Sequence, residues 1–352
     1  MKKTNKIKNL SADLLVIFAL YSFYTRLPYF KGYFSGVHDV FFQFTTFDFL
    51  FWVLVAFLIF ILPFRYFKKR QDRSKSLIFL SVLVQICSKI FQKEPTKIKK
   101  EDWVAFLSLL VRAFYFPLMA NWCLFRLEDL ISFSASLKIL GLLDSRNLAE
   151  FFNKYLFWFL FNLLFFVDTF IFSVSYLLES KFLGNKIRSV EPTIFGWLVA
   201  LACYPPINNL TGRFLSWETK DSVTDFSSQN VNLFFNVLII LALIIYAWAS
   251  IALGFKAGNL VNRGIVDKGP YRFVRHPAYI SKNFAWWMGS APFLFLAWQN
   301  GWKELVLVLI NVIFWSLIYY FRAITEERHL MRDPDYQKYV KKVKWRFIPK
   351  VF

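Results

Sequence analysis

Long apolar runs almost free of polar atoms, such as Phe49 to Leu62 and Leu156 to Phe166, most constrain what this chain can fold into. Several extend to helical lengths of about 20 residues, enough to cross a bilayer. Apolar side chains make up 57% of the 352 residues and aromatic ones 21%, more than a soluble core of this size can bury. The excess must face lipid, which excludes a soluble enzyme, a disordered chain and a disulfide-stapled secreted domain. Cys87, Cys123 and Cys203 sit singly in apolar segments with no metal-ligand spacing, so they read as small buried hydrophobes and no metal is expected.

The expected fold is all-α, a polytopic membrane bundle. A retained first helix begins near Leu14, because no small-residue cleavage site follows it. Seven further spans are expected: Asp48 to Phe64, Trp103 to Phe125, Tyr155 to Leu178, Thr193 to Leu210, Val231 to Leu253, Ala278 to Trp298 and Glu304 to Phe321. Charge orients them. The chain carries 43 Lys and Arg against 23 Asp and Glu, formally +20, and in a membrane protein such an excess gathers in cytoplasmic loops, which makes nucleic acid the weaker partner. Residues 1–9 hold four lysines, 65–75 six bases against one acid, 254–277 five against one and 322–352 nine against four. Eight spans place all four stretches, and both termini, on the cytoplasmic side. The segment 76–91 lies between basic loops, is short for a span and contains Gln85 and Lys89, so it is expected to be interfacial or re-entrant.

Two ionisable residues fall inside spans, where charge is expensive and usually paired or functional. At 1.5 Å per residue, Arg112 lies about 13 Å and Asp168 about 15 Å from the inner ends of adjacent spans, and this predicts a buried ion pair. Pro205-Pro206, with Asn208 and Asn209, should break the fifth span.

The last third carries the chemistry. In the loop from Asn262 to Tyr279, Gly269-Pro270 marks a turn and Pro277 suits the first position of the next helix, leaving His276 at its mouth. Free N–H groups of that first turn, with Arg272 and Arg275 beside them, attract an anionic group. Carboxylates appear at a matching depth in the next hairpin, Arg322-Ala323-Ile324-Thr325-Glu326-Glu327-Arg328-His329. Arg322 and Glu326, four apart, share a helix face, whereas Glu326 and Glu327 point about 100° apart. The order of that pair is unfavourable for helix stability, so a pocket role is more economical: Glu326 holds a cation or ribose hydroxyls, Arg322 an anionic group on a second substrate. Asp333-Pro334 then opens a final helix with Tyr336, Tyr339, Val340, Val343 and Phe347 on one face and lysines on the other, suited to lying on the interface and roofing a pocket.

The run Gly269 to Tyr279, followed by Arg322, Thr325-Glu326-Glu327, Asp335-Tyr336 and Arg346-Phe347-Ile348-Pro349, resembles the isoprenylcysteine carboxyl methyltransferase and phospholipid methyltransferase family of integral membrane enzymes. The resemblance covers residues 231–352 and leaves 1–230 as an N-terminal bundle of unassigned role. It implies an S-adenosylmethionine pocket on the cytoplasmic side with a lateral opening for a membrane lipid or isoprenoid acceptor. By that resemblance Arg263, Gly264, Ile265 and Val266 contact the cofactor through backbone. Tyr271, His276, Pro277, Ala278 and Tyr279 contact its adenosine and methionine parts, Glu326 is the cofactor-binding acid, and Arg322 orients the acceptor. A carboxylate acceptor, the favoured class, needs no base; an amine acceptor would give Glu327 or His329 that role. Where the family often has glycine, two residues after the motif tyrosine, this chain has Ser281, and Arg263-Gly264 replaces a polar pair. Two rival readings remain: an NADPH-dependent sterol or isoprenoid reductase, which ends in a comparable loop and basic tail, and a non-catalytic transporter or scaffold built around Arg112 and Asp168. The consecutive acids Glu326-Glu327 favour the methyltransferase.

Overall fold

The computed structural model describes residues 2–61, 73–92, 98–140, 148–180, 182–212, 226 and 228–351, and is almost entirely helical. Most of the expected basic loop at 65–75, part of the basic stretch 92–100, and parts of the nearly balanced or acidic loops expected on the opposite face at 126–150 and 211–230 lie outside these residues. Among the described residues five helices are long and apolar enough to cross a membrane: Lys6–Arg26, Lys100–Ser134, Leu148–Leu177, Gln229–Lys256 and Trp302–Leu330. The protein is therefore an all-α, multi-pass membrane protein.

Helix α1 (Lys2–Arg26) leads into α2 (Pro28–Phe34), and a two-stranded antiparallel hairpin, β1 (Val37–Asp39) with β2 (Gln43–Thr45), precedes α3 (Thr46–Ala56). A capping box starts α3: the Thr45 side chain accepts from the Asp48 N–H, and the Asp48 carboxylate accepts from the Thr45 N–H at 2.7 Å. The segment expected to be interfacial forms α4 (Lys75–Gln92), packed on α1 and on α5 (Lys100–Leu140), and is not among the five long apolar helices. After the short α6 (Leu148–Phe151), helix α7 (Phe157–Leu177) makes the most extensive helix pairing with α5.

The span expected over 193–210 is two short helices, α8 (Ile194–Leu201) and α9 (Ile207–Gly212), separated at the cis Pro205–Pro206 peptide. The break falls where two successive prolines leave no backbone donor. Helix α10 (Gln229–Leu253) stops at Gly254, whose positive φ of 51° favours glycine. The span expected over 278–298 is also divided, into α11 (Pro277–Gly289) and α12 (Ala291–Asn300), because Pro292 in the first turn of α12 cannot continue the preceding hydrogen-bond ladder. Pro277 stands at the first position of α11, as expected. Helix α13 (Trp302–Leu330) runs through the acids, and α14 (Pro334–Lys342) follows, capped by the Asp333 side chain. On α14, Tyr336 and Tyr339 are buried with Val343 against Ile265, Tyr271 and Leu330, while Lys338, Lys341 and Lys342 are exposed.

Two strands tie the N-terminal bundle to the C-terminal third. β3 (Ser189–Val190) pairs antiparallel with β4 (Val261–Asn262). The Ser189 hydroxyl lies 2.8 Å from His329 Nε2, and Arg188 reaches Asp333 and Asp335, both at 3.2 Å.

The predicted Arg112–Asp168 ion pair is not the arrangement found. Arg112 donates to the Tyr176 and Leu177 carbonyls at 2.7 and 2.6 Å and meets Glu179 at 3.4 Å, so it caps the C-terminal end of α7, where carbonyls lack intrahelical partners. Asp168 accepts instead from the hydroxyls of Tyr246, at 2.7 Å, and Ser250 on α10.

Candidate functional site

Residues around 276 and 326, some fifty positions apart, meet. The motif loop enters α11 through Pro277, and α13 brings its last turns alongside, so the Tyr279 hydroxyl donates to Glu326 Oε2 at 2.7 Å. His276 stacks on Tyr279, with ring centroids 5.2 Å apart, and its Nε2 lies 3.0 Å from Glu327 Oε1.

A cavity of about 500 Å³ opens between α5, α7, α10, α11 and α13. Six of the candidate cofactor- and acceptor-contacting residues line it: Tyr271, His276, Ala278, Tyr279, Arg322 and Glu326. Arg322 is 6% exposed. Its guanidinium donates to Asn259 Oδ1 at 2.8 Å and lies 4.8, 5.2 and 5.9 Å from the ring centres of Tyr319, Tyr279 and Tyr204. Rings hold it by cation–π attraction, and no carboxylate among the described residues lies within ion-pair distance of it. The Tyr271 phenol is held well above its ordinary pKa, first by burial and then by Glu326, so it stays a neutral donor.

The remaining candidates lie behind the cavity wall. Glu327 points away from it and is enclosed by two guanidinium groups, Arg275 Nε at 2.8 Å and Arg346 at 2.9 Å, and by His276 Nε2 at 3.0 Å. Pro277 is buried as the helix start. Arg263 is 2% exposed and donates to the Ser175 carbonyl at 2.7 Å and the Phe255 carbonyl at 3.2 Å, a second cap on α7; burial lowers its pKa. Gly264 takes a positive φ of 99° with its N–H on Asn262 Oδ1, and Ile265 packs on the α14 tyrosines. Neither these two nor Arg263 or Val266 lines the cavity.

Much of the wall comes from the N-terminal bundle. Trp122, Arg126, Phe165, Asp168 and Tyr204 all line it, as does Lys282, one turn beyond Ala278, whose ammonium lies 5.2–5.5 Å from the rings of Trp286, Tyr246 and Phe165. Of these, Asp168 was detectable in the sequence as an intramembrane charge; the aromatic residues were not, because rings are abundant throughout the chain.

Residues 219–343 match the model of a family described as a protein of unknown function, DUF1295. That family comprises uncharacterised membrane proteins, and the match covers about a third of the chain. No curated protein matches the chain.

Proposed function

We propose that the protein is an integral membrane methyltransferase that moves a methyl group from S-adenosylmethionine to a lipid or isoprenoid acceptor, a carboxylate rather than an amine, at the cytoplasmic face. One observation carries the reading. A carboxylate, Glu326, and a buried guanidinium with no carboxylate partner among the described residues, Arg322, face the same aromatic-walled cavity beside the motif loop. Its volume falls within the usual range for small-molecule sites.

The residues suit a sulfonium nucleotide. Tyr279 fixes one oxygen of Glu326, which orients the carboxylate for ribose hydroxyls or positive charge, and the Tyr271 ring, which does not hold Arg322, adds an aromatic wall beside it. When bound, S-adenosylmethionine supplies a methyl carbon activated for displacement. The protein then has to align the acceptor and exclude water. Arg322 holds the acceptor's carboxylate, and the apolar stretch of the cavity along α7 receives its chain. A carboxylate acceptor requires no general base, in keeping with a Glu327 whose oxygens are already bonded to Arg275, His276 and Arg346.

Titration of the detergent-solubilised protein with S-adenosylmethionine and with NADPH tests this. Saturable binding of the first alone supports methyl transfer, of the second alone a reductase, and of neither a scaffold. Incubation with labelled donor and a total lipid extract then identifies the acceptor.

A further inference from the structure

A second, much smaller pocket of about 30 Å³ opens beside the large cavity and shares Asn259, Tyr279, Arg322 and Glu326 with it. Its remaining polar wall comes from Glu191, Thr325 and His329. Glu191 belongs to the N-terminal bundle, outside both the motif region and the matched segment 219–343. It is 2% exposed. Its Oε1 accepts from the Thr193 N–H at 3.1 Å, from the Thr193 hydroxyl and from Arg328 at 2.8 Å. Its Oε2 is buried and has no hydrogen-bond partner among the described residues.

A buried carboxylate oxygen without a donor is costly, and native structures seldom leave one without a reason. The site is built to hold it there. A Cβ on Gly196 would lie 2.4 Å from Glu191 Cγ, so glycine at that position makes room for the side chain, and the β3–β4 pairing fixes its backbone through the Glu191 N–H to the Leu260 carbonyl at 2.8 Å. The volume admits a group the size of one or two waters but no ring.

We infer that Glu191, with Glu326 on the shared wall, receives a primary ammonium group, namely the α-amino group at the amino-acid end of the methyl donor. The inference rests on the proposed use of S-adenosylmethionine. An ammonium brings three donors to a pocket whose two carboxylates, one with an unused oxygen, offset its charge together with that of Arg322 on the shared wall, and its size matches the space. Arg328 leaves Oε2 available because it engages Oε1. Donor specificity is thereby shared between the motif loop and a residue far outside it.

The test is calorimetric titration of the full-length protein in lipid nanodiscs with S-adenosylhomocysteine and with its des-amino analogue, for the wild type, Glu191→Gln and Glu191→Asp. A buried charge-assisted bond predicts that the wild type binds the amino compound about 10–100-fold more tightly. Glu191→Gln should remove most of that preference and Glu191→Asp retain part of it. Equal wild-type affinity for the two compounds overturns the inference while leaving the donor reading intact, and this comparison stands even if the variants fail to fold. Equal weakening of both ligands by Glu191→Gln also overturns it, since Glu191 then only supports the wall. If neither compound binds, the donor reading itself fails and the inference with it.

Discussion

Replacing Glu327 by glutamine separates a structural from a chemical role for the second acid. Its carboxylate joins three parts of the chain: α13, the motif loop through Arg275 and His276, and the C-terminal tail through Arg346. Arg275 approaches as a fork, with Nε to Oε1 at 2.8 Å and a terminal nitrogen to Oε2 at 3.3 Å, and its other terminal nitrogen donates to the Lys344 carbonyl at 2.8 Å. Backbone bonds from the Arg275 N–H to Trp345 and from the His276 N–H to Arg346, at 2.9 and 3.0 Å, complete the junction. The Arg275 and Glu327 side chains are 9% and 10% exposed, and Arg346 is 24% exposed, so solvent screens the cluster only partly. Breaking a buried pair costs about 3–5 kcal/mol, and allowing for the wetter Arg346 the expected loss is about 3 kcal/mol. At tenfold per 1.4 kcal/mol, the tail and loop should open roughly a hundredfold more often. Hydrogen exchange followed by mass spectrometry in nanodiscs reads this directly in peptides covering 270–277 and 343–349. A change below threefold there, together with lost methyl transfer, would refute the clasp and return Glu327 to the role of a base.

Four further outcomes are expected. Because Arg112 and Asp168 have separate partners, the cycle Arg112→Met, Asp168→Asn should be additive in thermal stability to within about 0.5 kcal/mol, and a larger coupling would restore the ion pair. Tyr279→Phe removes the donor to Glu326 and should weaken S-adenosylmethionine binding about tenfold, the value of a hydrogen bond to a charged group; unchanged affinity would place the donor elsewhere. Gly196→Ala should lower the ligand-free melting temperature, since its Cβ overlaps the Glu191 side chain. For Asp333, burial raises the pKa, but hydrogen bonds from Asn262, the Asp335 N–H and Arg188 outweigh it, so the folded-state value lies below that of the free carboxylate. Its contribution is thus present above about pH 4 and lost as pH falls through the folded value, so exchange protection of α14, corrected for intrinsic rates, should fall on acidification in the wild type and not in Asp333→Asn.

Features that depend on neighbours in sequence were legible without coordinates. The Pro277 helix start, the Asp333 cap and the proline break after Leu201 follow from which backbone groups a residue can donate or cap. The 100° rotation per residue likewise places Arg322 and Glu326 on the cavity and turns Glu327 away from it. Arg112 and Asp168 show where such reasoning ends. Rise per residue gives depth, but pairing also requires the azimuth of each side chain, which only the packing of α5, α7 and α10 supplies. Facing the free carbonyls at the end of α7, Arg112 satisfies them; facing two hydroxyls on α10, Asp168 accepts from both. Glu191 gave no signal, because its unused oxygen arises from the meeting of α8, β4 and α13 rather than from any local pattern.

The placement of that meeting bears on how much of the chain the site requires. The matched segment 219–343 contains Arg322, Glu326 and Glu327 but ends before Arg346, which closes the clasp on Glu327. It also lacks Tyr204, whose ring lies against Arg322, and Ser189, which holds His329. A fragment beginning at 219 would therefore expose the Arg322 face and leave His329 and Arg328 without their partners from residues 189–193. The physical consequence is that described residues of α5, α7 and the turn after α8 form a second wall of the cavity. Acceptor selectivity should accordingly respond to substitutions on α5 and α7, such as Trp122→Ala or Phe165→Ala, that leave donor affinity unchanged. Equal loss of donor binding in those variants would mean that the two halves of the cavity do not serve separate substrates.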